Sequence, residues 1–129
     1  MFGSKKLVLI VEDTESHAQL MAAYVKYAGA RSVTAGNFSG ALAAVQKQNP
    51  ALVITDIMIP GGTGLDLAMS LRKHPKLGLI PIIVVSAHFP EAEILKLEQT
   101  VKNCRVFQKP LKAMEVTETI KRMLSSGKA

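Results

Sequence analysis

Strand-like and helix-like segments alternate along this chain, and that alternation limits the fold more than any other feature. Four short apolar runs rich in β-branched residues stand out: Leu7–Val11 (LVLIV), Leu52–Thr55 (LVIT), Ile80–Val85 (IPIIVV) and, more weakly, Arg105–Gln108 (RVFQ). Arg31–Ala35 is a fifth, weaker candidate. Continuous rather than alternating apolar runs suit strands covered on both faces, as in a parallel sheet. Between and after them lie amphipathic stretches. Thr14–Ala28 carries Met21, Val25 and Ala28 on one helical face and stops at Gly29. Ser39–Gln48 carries Leu42 and Val45 and stops before Asn49-Pro50, while Gly64–Lys73 carries Leu65, Ala68, Met69 and Arg72 and stops before Pro75. Pro90–Thr100 opens on a proline, with Glu91 and Glu93 where acids favour a helix start. Lys112–Ser125 places Val116, Ile120, Met123 and Leu124 on one stripe. Strand then helix, repeated, is the pattern of an α/β doubly wound sheet, and right-handed crossovers put helices on both faces. Five such units use up the 129 residues, so one domain over 1–129 is expected, with a fraying tail at 125–129.

Composition narrows the function classes. The chain is 48% hydrophobic and 20% charged, enough for a packed core and unlike a disordered segment. It has no apolar stretch near the roughly 18 residues a membrane span needs. The polar start Met1–Lys6 and the short run after it do not make a secretory signal, so the expected compartment is the cytoplasm. Cys104 is the lone cysteine; it has no partner for a disulfide or a zinc site and reads as a small apolar filler. His17, His74 and His88 are scattered, none at metal-ligand spacing, and read as surface or packing residues. The net charge is +6 and the pI about 9.6, and residues 96–129 hold eight Lys or Arg against three Glu. Such a balance points to an acidic partner. With only 5% aromatic residues and no zinc-finger spacing, direct nucleic-acid binding has no support beyond charge.

In open α/β sheets, ligands bind outside the carboxyl ends of the strands. Glu12 and Asp13 follow the first strand, Asp56 the third, Ser86 the fourth, and Lys109 with Pro110 the fifth. The fold would bring all of them to one edge. Carboxylates held close repel one another unless a cation is present, and magnesium takes one or two carboxylates plus waters and substrate oxygens. A carboxylate can attack phosphorus to form an acyl phosphate, a lysine supplies a point charge on a phosphate oxygen, and a serine hydroxyl can donate to an arriving phosphoryl group.

The stretches VEDTES, TDIMIPGGTGLDL, VVSAH and VFQKPLK resemble the response-regulator receiver domain of two-component signalling, and the likeness covers essentially the whole chain. It implies a flavodoxin-like strand order, 2-1-3-4-5. It implies Asp56 as phospho-acceptor, with Mg2+ held by Glu12, Asp13, Asp56 and the backbone carbonyl of Met58. Ser86 matches the switch hydroxyl, Lys109 the phosphate-contacting lysine, and Pro110 the proline whose preceding peptide bond is commonly cis. The implied donor is a histidine kinase or a histidine phosphotransfer protein. The implied readout is a downstream protein at the basic face between the fourth and fifth helices, with dimerisation on phosphorylation open.

Two features depart from the family pattern. Three residues before Lys109, where the family carries Tyr or Phe, stands Val106; Phe107 is one residue later and so on the opposite face of its strand, where it reads as core. Met58 and His88 flank the expected phosphoryl position, and an apolar Met58 predicts slow self-dephosphorylation. Three alternatives stay open: a magnesium-dependent phosphohydrolase using Asp56, an unphosphorylated interaction module, and the front end of a longer regulator. The hydrolase reading lacks an acid at position 58, where such enzymes often place one.

Overall fold

The computed structural model describes residues 5–74, 79–87 and 91–128. Expectations on His88, on Pro90 as a helix start and on Pro75 as a stop lie outside the described residues. In chain order the elements are β1 Leu7–Val11, α1 Glu15–Tyr27, β2 Arg31–Ala35, α2 Phe38–Gln48, β3 Leu52–Asp56, β4 Met58–Ile59, β5 Gly62–Thr63, α3 Gly64–Lys73, β6 Ile82–Ser86, α4 Glu91–Thr100, β7 Cys104–Gln108 and α5 Ala113–Ser126. Five parallel strands form one sheet in the order β2-β1-β3-β6-β7. Counting the five long strands alone, this is the expected 2-1-3-4-5.

Burial follows the period of two along each strand. Leu9, Val11, Val53, Val84 and Val106 face a core completed by Val45, Leu67, Leu71 and Leu97 of α2, α3 and α4. Val8, Ile10, Ile54, Val85 and Phe107 face the opposite core, completed by Met21 and Val25 of α1 and Val116, Ile120 and Met123 of α5. Both faces of the sheet are therefore covered, which is why its central strands are apolar without alternation. Parallel register sets the carboxyl ends side by side: Val11 opposite Thr55, Asp56 opposite Val85, Ser86 opposite Gln108.

The differences from the sequence reading have local causes. β6 begins at Ile82, because Pro81 has no N–H to give to a ladder, although its carbonyl still accepts from Val53 N–H at 3.1 Å. α2 begins one residue early, at Phe38, because the Asn37 side chain accepts from Gly40 N–H at 2.7 Å and caps it. Pro60-Gly61, expected as a turn, joins the antiparallel pair β4–β5, with Gly61 at φ +90. α5 continues into the expected tail, to Ser126. Ser125 and Ser126 lie within α5, their hydroxyls donating to the Arg122 carbonyl, and Gly127 closes the helix in a left-handed conformation with its N–H on Met123.

Candidate functional site

The site begins where four strands, β1, β3, β6 and β7, end. Glu12 follows β1 directly; its N–H donates to the Ala35 carbonyl at 3.0 Å, and its side chain is buried. Asp13 beside it is exposed. Asp56 is the last residue of β3 and half-buried. Its Oδ1 accepts the Met58 N–H at 3.0 Å and its Oδ2 accepts from Lys109 Nζ at 2.9 Å. Ser86 closes β6, buried, and its carbonyl accepts the Lys109 N–H at 2.8 Å. The Lys109–Pro110 peptide bond is cis. Glu12, Asp13, Asp56, Met58, Ser86 and Lys109 thus line one open cleft of about 500 Å³.

Gly64 keeps the cleft in shape from below. A Cβ there would stand 2.5 Å from the Asp56 carbonyl oxygen and 3.1 Å from Ile57 Cα, so no side chain fits. Its N–H donates to the Ile57 carbonyl at 2.8 Å, and Thr63 caps α3 by accepting from Asp66 N–H. α3 therefore starts hard against the strand end that carries Asp56. Met58 contributes its backbone to Asp56, while its side chain is 72% exposed at the mouth of the cleft.

Electrostatically the floor is strained in one direction. The Glu12 carboxyl is pushed above its ordinary range, first by burial and then by the charge of Asp56; a hydrogen bond from His17 and the charge of Lys109 pull it back. Among the described residues, no three Asp, Glu, His or Cys side chains close on one point to form a cage. Magnesium does not require one, since it binds through one or two carboxylates and keeps several waters. Two coupled carboxylates and an exposed third, beside the Met58 backbone and open to solvent, are a donor set of the right chemistry for such an ion.

Sequence reasoning missed His17. It reads there as a surface or packing residue, and its side chain is indeed about half exposed, yet Nδ1 lies 3.0 Å from Glu12 Oε1 and 3.4 Å from Lys109 Nζ. Spacing five residues from Glu12 carries no signal of this; the contact depends on how the β1–α1 turn sets the first turn of the helix. Val106 and Phe107 are both buried, on opposite faces, and Phe107 packs in the α1–α5 core. Val106 N–H donates to Glu98 Oε2 at 2.8 Å, and the same carboxylate pairs with Arg105 at 3.6 Å. Cys104 is buried, and burial pushes its thiol up to about 12.

Comparison with known proteins converges on one family. Residues 8–121 match the profile of the response regulator receiver domain. The chain is 31% identical to the sensory transduction protein RegX3 of Mycolicibacterium smegmatis over 93% of its length, but spans only 51% of that protein. It is 29% identical to the polar-differentiation response regulator DivK of Brucella anthropi, covering 95% of this chain and 98% of that one. A putative response regulator from Chloroflexus aurantiacus superposes with a TM-score of 0.85 at 24% identity, over 95% and 99% of the two chains.

Proposed function

The chain belongs to the response regulator receiver domain family, and from that premise we propose that it is a phospho-accepting receiver in two-component signalling, with Asp56 as acceptor. The observation that carries this is the Asp56 carboxylate at the end of β3, held by Lys109 Nζ at 2.9 Å and the Met58 N–H at 3.0 Å in a solvent-open cleft beside Glu12 and Asp13. An Asp56 oxygen forms a bond to phosphorus, the P–N bond of a phosphohistidine donor breaks, and the electron pair leaves with the donor's imidazole. Lys109 faces the charge that builds on the phosphoryl oxygens, and the Ser86 hydroxyl lies within the same cleft to donate to one of them. Glu12, Asp13 and Asp56 with the Met58 carbonyl would hold a magnesium ion, which, when bound, neutralises phosphoryl charge. Receiver domains are signalling modules, and an apolar Met58 stands two residues after the acceptor, where phosphohydrolases often carry an acid.

The donor is a histidine kinase or histidine phosphotransfer protein. The downstream protein partner belongs at the face of α4, β7 and α5. Its support is an open groove there, lined by Leu95, Arg105, Lys112 and Glu115, with exposed Lys96 and Arg122 adding positive charge along the two helices; Lys121, expected on this face, lies on the α1 side of α5 instead. Dimerisation through that face on phosphorylation, a cytoplasmic setting and a single domain over 1–129 complete the proposal; among the described residues no helix is long and apolar enough to cross a membrane.

The test is intact-mass measurement after incubation with Mg2+ and a small acyl- or amido-phosphate donor. One added phosphoryl group, absent from Asp56→Asn, is expected. Phosphate release over many turnovers would instead mean a hydrolase, and no adduct in the wild type would mean an inert module.

A further inference from the structure

We propose that His17 is a positioning residue of this site: its ring nitrogen holds one oxygen of Glu12, leaves the other available to the divalent cation or its waters, and so raises cation affinity. The inference rests on the reading of the cleft as a cation-dependent phospho-acceptor.

Nδ1 of His17 lies 3.0 Å from Glu12 Oε1, and it is the sole hydrogen-bond donor to that carboxylate among the described residues. The Glu12 side chain is only 6% exposed, so little solvent is at hand to replace that bond if the ring is removed. The same nitrogen is 3.4 Å from Lys109 Nζ. One ring nitrogen cannot donate to a carboxylate and accept from an ammonium at once. A carboxylate can only accept, so the shorter contact puts the proton on Nδ1, and the neighbouring group sets the tautomer. Lys109 then meets a donor at His17 and an acceptor at Asp56 Oδ2, 2.9 Å away, and its directed bond goes to Asp56.

The ring therefore does two things from the first turn of α1. It fixes Glu12 on the cation side, and it keeps Lys109 aimed at the acceptor. Glu12 needs fixing, because a small void of about 20 Å³ lies beneath, bordered by Glu12, His17, Asp56, Met21 and Ile54, into which an unheld side chain could turn. Outer partners that orient metal-binding groups in this way are worth roughly 10–100-fold in metal affinity.

The experiment is a Mg2+ titration of the unphosphorylated protein, followed by backbone amide shifts in 1H–15N spectra. His17→Leu removes the donor. His17→Asn keeps one, since Nδ2 of Asn stands where Nδ1 of His does. His17→Leu is expected to weaken Mg2+ binding about tenfold or more, and His17→Asn to recover most of the loss. His17→Ala, read in the same way, replaces His17→Leu should leucine prevent folding. A donor-free variant that binds Mg2+ as tightly as the wild type, or an Asn variant as weak as the donor-free one, overturns the role of His17 alone. A wild type whose amides do not respond to Mg2+ overturns the reading of the site, and this inference with it.

Discussion

Lys109 Nζ lies 2.9 Å from Asp56 Oδ2, although Asp56 ends β3 and Lys109 follows β7, strands separated by β6 in the sheet. The contact is partly buried and is the lysine's one close carboxylate partner among the described residues. Lys109→Met would leave Asp56 and Glu12 facing each other without it. The metal-free protein is expected to lose about 1–2 kcal/mol of stability, below the cost for a fully buried pair because both side chains are partly solvated. Saturating Mg2+ should restore much of this. Urea unfolding with and without Mg2+ checks it, and a loss that Mg2+ does not change would separate the lysine from the acidic site.

Gly64→Ala tests how tightly α3 is set against the acceptor. The new methyl would meet the Asp56 carbonyl oxygen at 2.5 Å, a backbone atom that cannot move without its strand. A cost of roughly 2 kcal/mol or more is expected, with slower phosphoryl uptake because Asp56 is displaced. Gly36→Ala is the control: nothing lies within 4 Å of its Cβ position, and the change should be close to neutral. Thermal unfolding and the initial rate of mass gain are the two measurements.

The fold was legible because parallel strands covered on both faces leave continuous apolar runs such as Leu7–Val11 and residues 82–85 of β6. β2 was faint because it is an edge strand: Arg31 and Thr34 are exposed, and only Ala35 of its five residues is fully buried. β4 and β5 were invisible because two residues carry no periodicity; only the Pro60-Gly61 turn between them shows. The strand-end residues of the site were legible for a topological reason, since a parallel sheet sends all its carboxyl ends to one edge. His17 was not, because its contact with Glu12 comes from the path of one turn and not from any spacing.

Phe107 rather than Val106 is the structural aromatic of β7. It belongs to the core under α1 and α5 that also holds Val85, Val116 and Ile120, with the Arg105 guanidinium 5.2 Å from its ring centroid. Phe107→Ala is expected to cost about 3–4 kcal/mol. Val106→Ala should cost about 1–2 kcal/mol, and its main-chain bond to Glu98 should survive. Chemical denaturation of the two variants gives the comparison. Equal losses would count against the assignment of Phe107 to the core.

Cys104 sets a limit at high pH. Burial raises its thiol from the ordinary 9.0 to about 12. A folded-state value above the unfolded one means that the native state holds the proton more firmly. Its contribution to stability is therefore complete below pH 9 and is lost as pH rises toward 12. Cys104→Ser removes this titration, so the wild type should lose stability more steeply than the variant across that window. At pH 8 the native thiol should also resist alkylation until urea unfolds the chain. Rapid labelling of the folded protein at pH 8 would contradict the burial argument.

If Asp56 is the acceptor as proposed, substitutions at Met58 should separate the making of the acyl phosphate from its loss. Its main-chain N–H is committed to Asp56 Oδ1, but its side chain is 72% exposed, so substitutions there change what meets incoming water without disturbing the acceptor. A thioether neither orients water nor takes its proton. The wild-type phosphoryl group is therefore expected to persist for minutes or longer. Met58→Gln offers water a hydrogen-bonding amide and should shorten that lifetime at least about tenfold, with the rate of uptake from a small donor little changed. Following the decay of the phosphorylated mass after donor removal distinguishes the outcomes. A wild-type lifetime of seconds, or a Gln variant that decays no faster, would move control of hydrolysis away from this position. Fast uptake with fast loss in Met58→Gln would place it at the mouth of the cleft, where the side chain faces solvent.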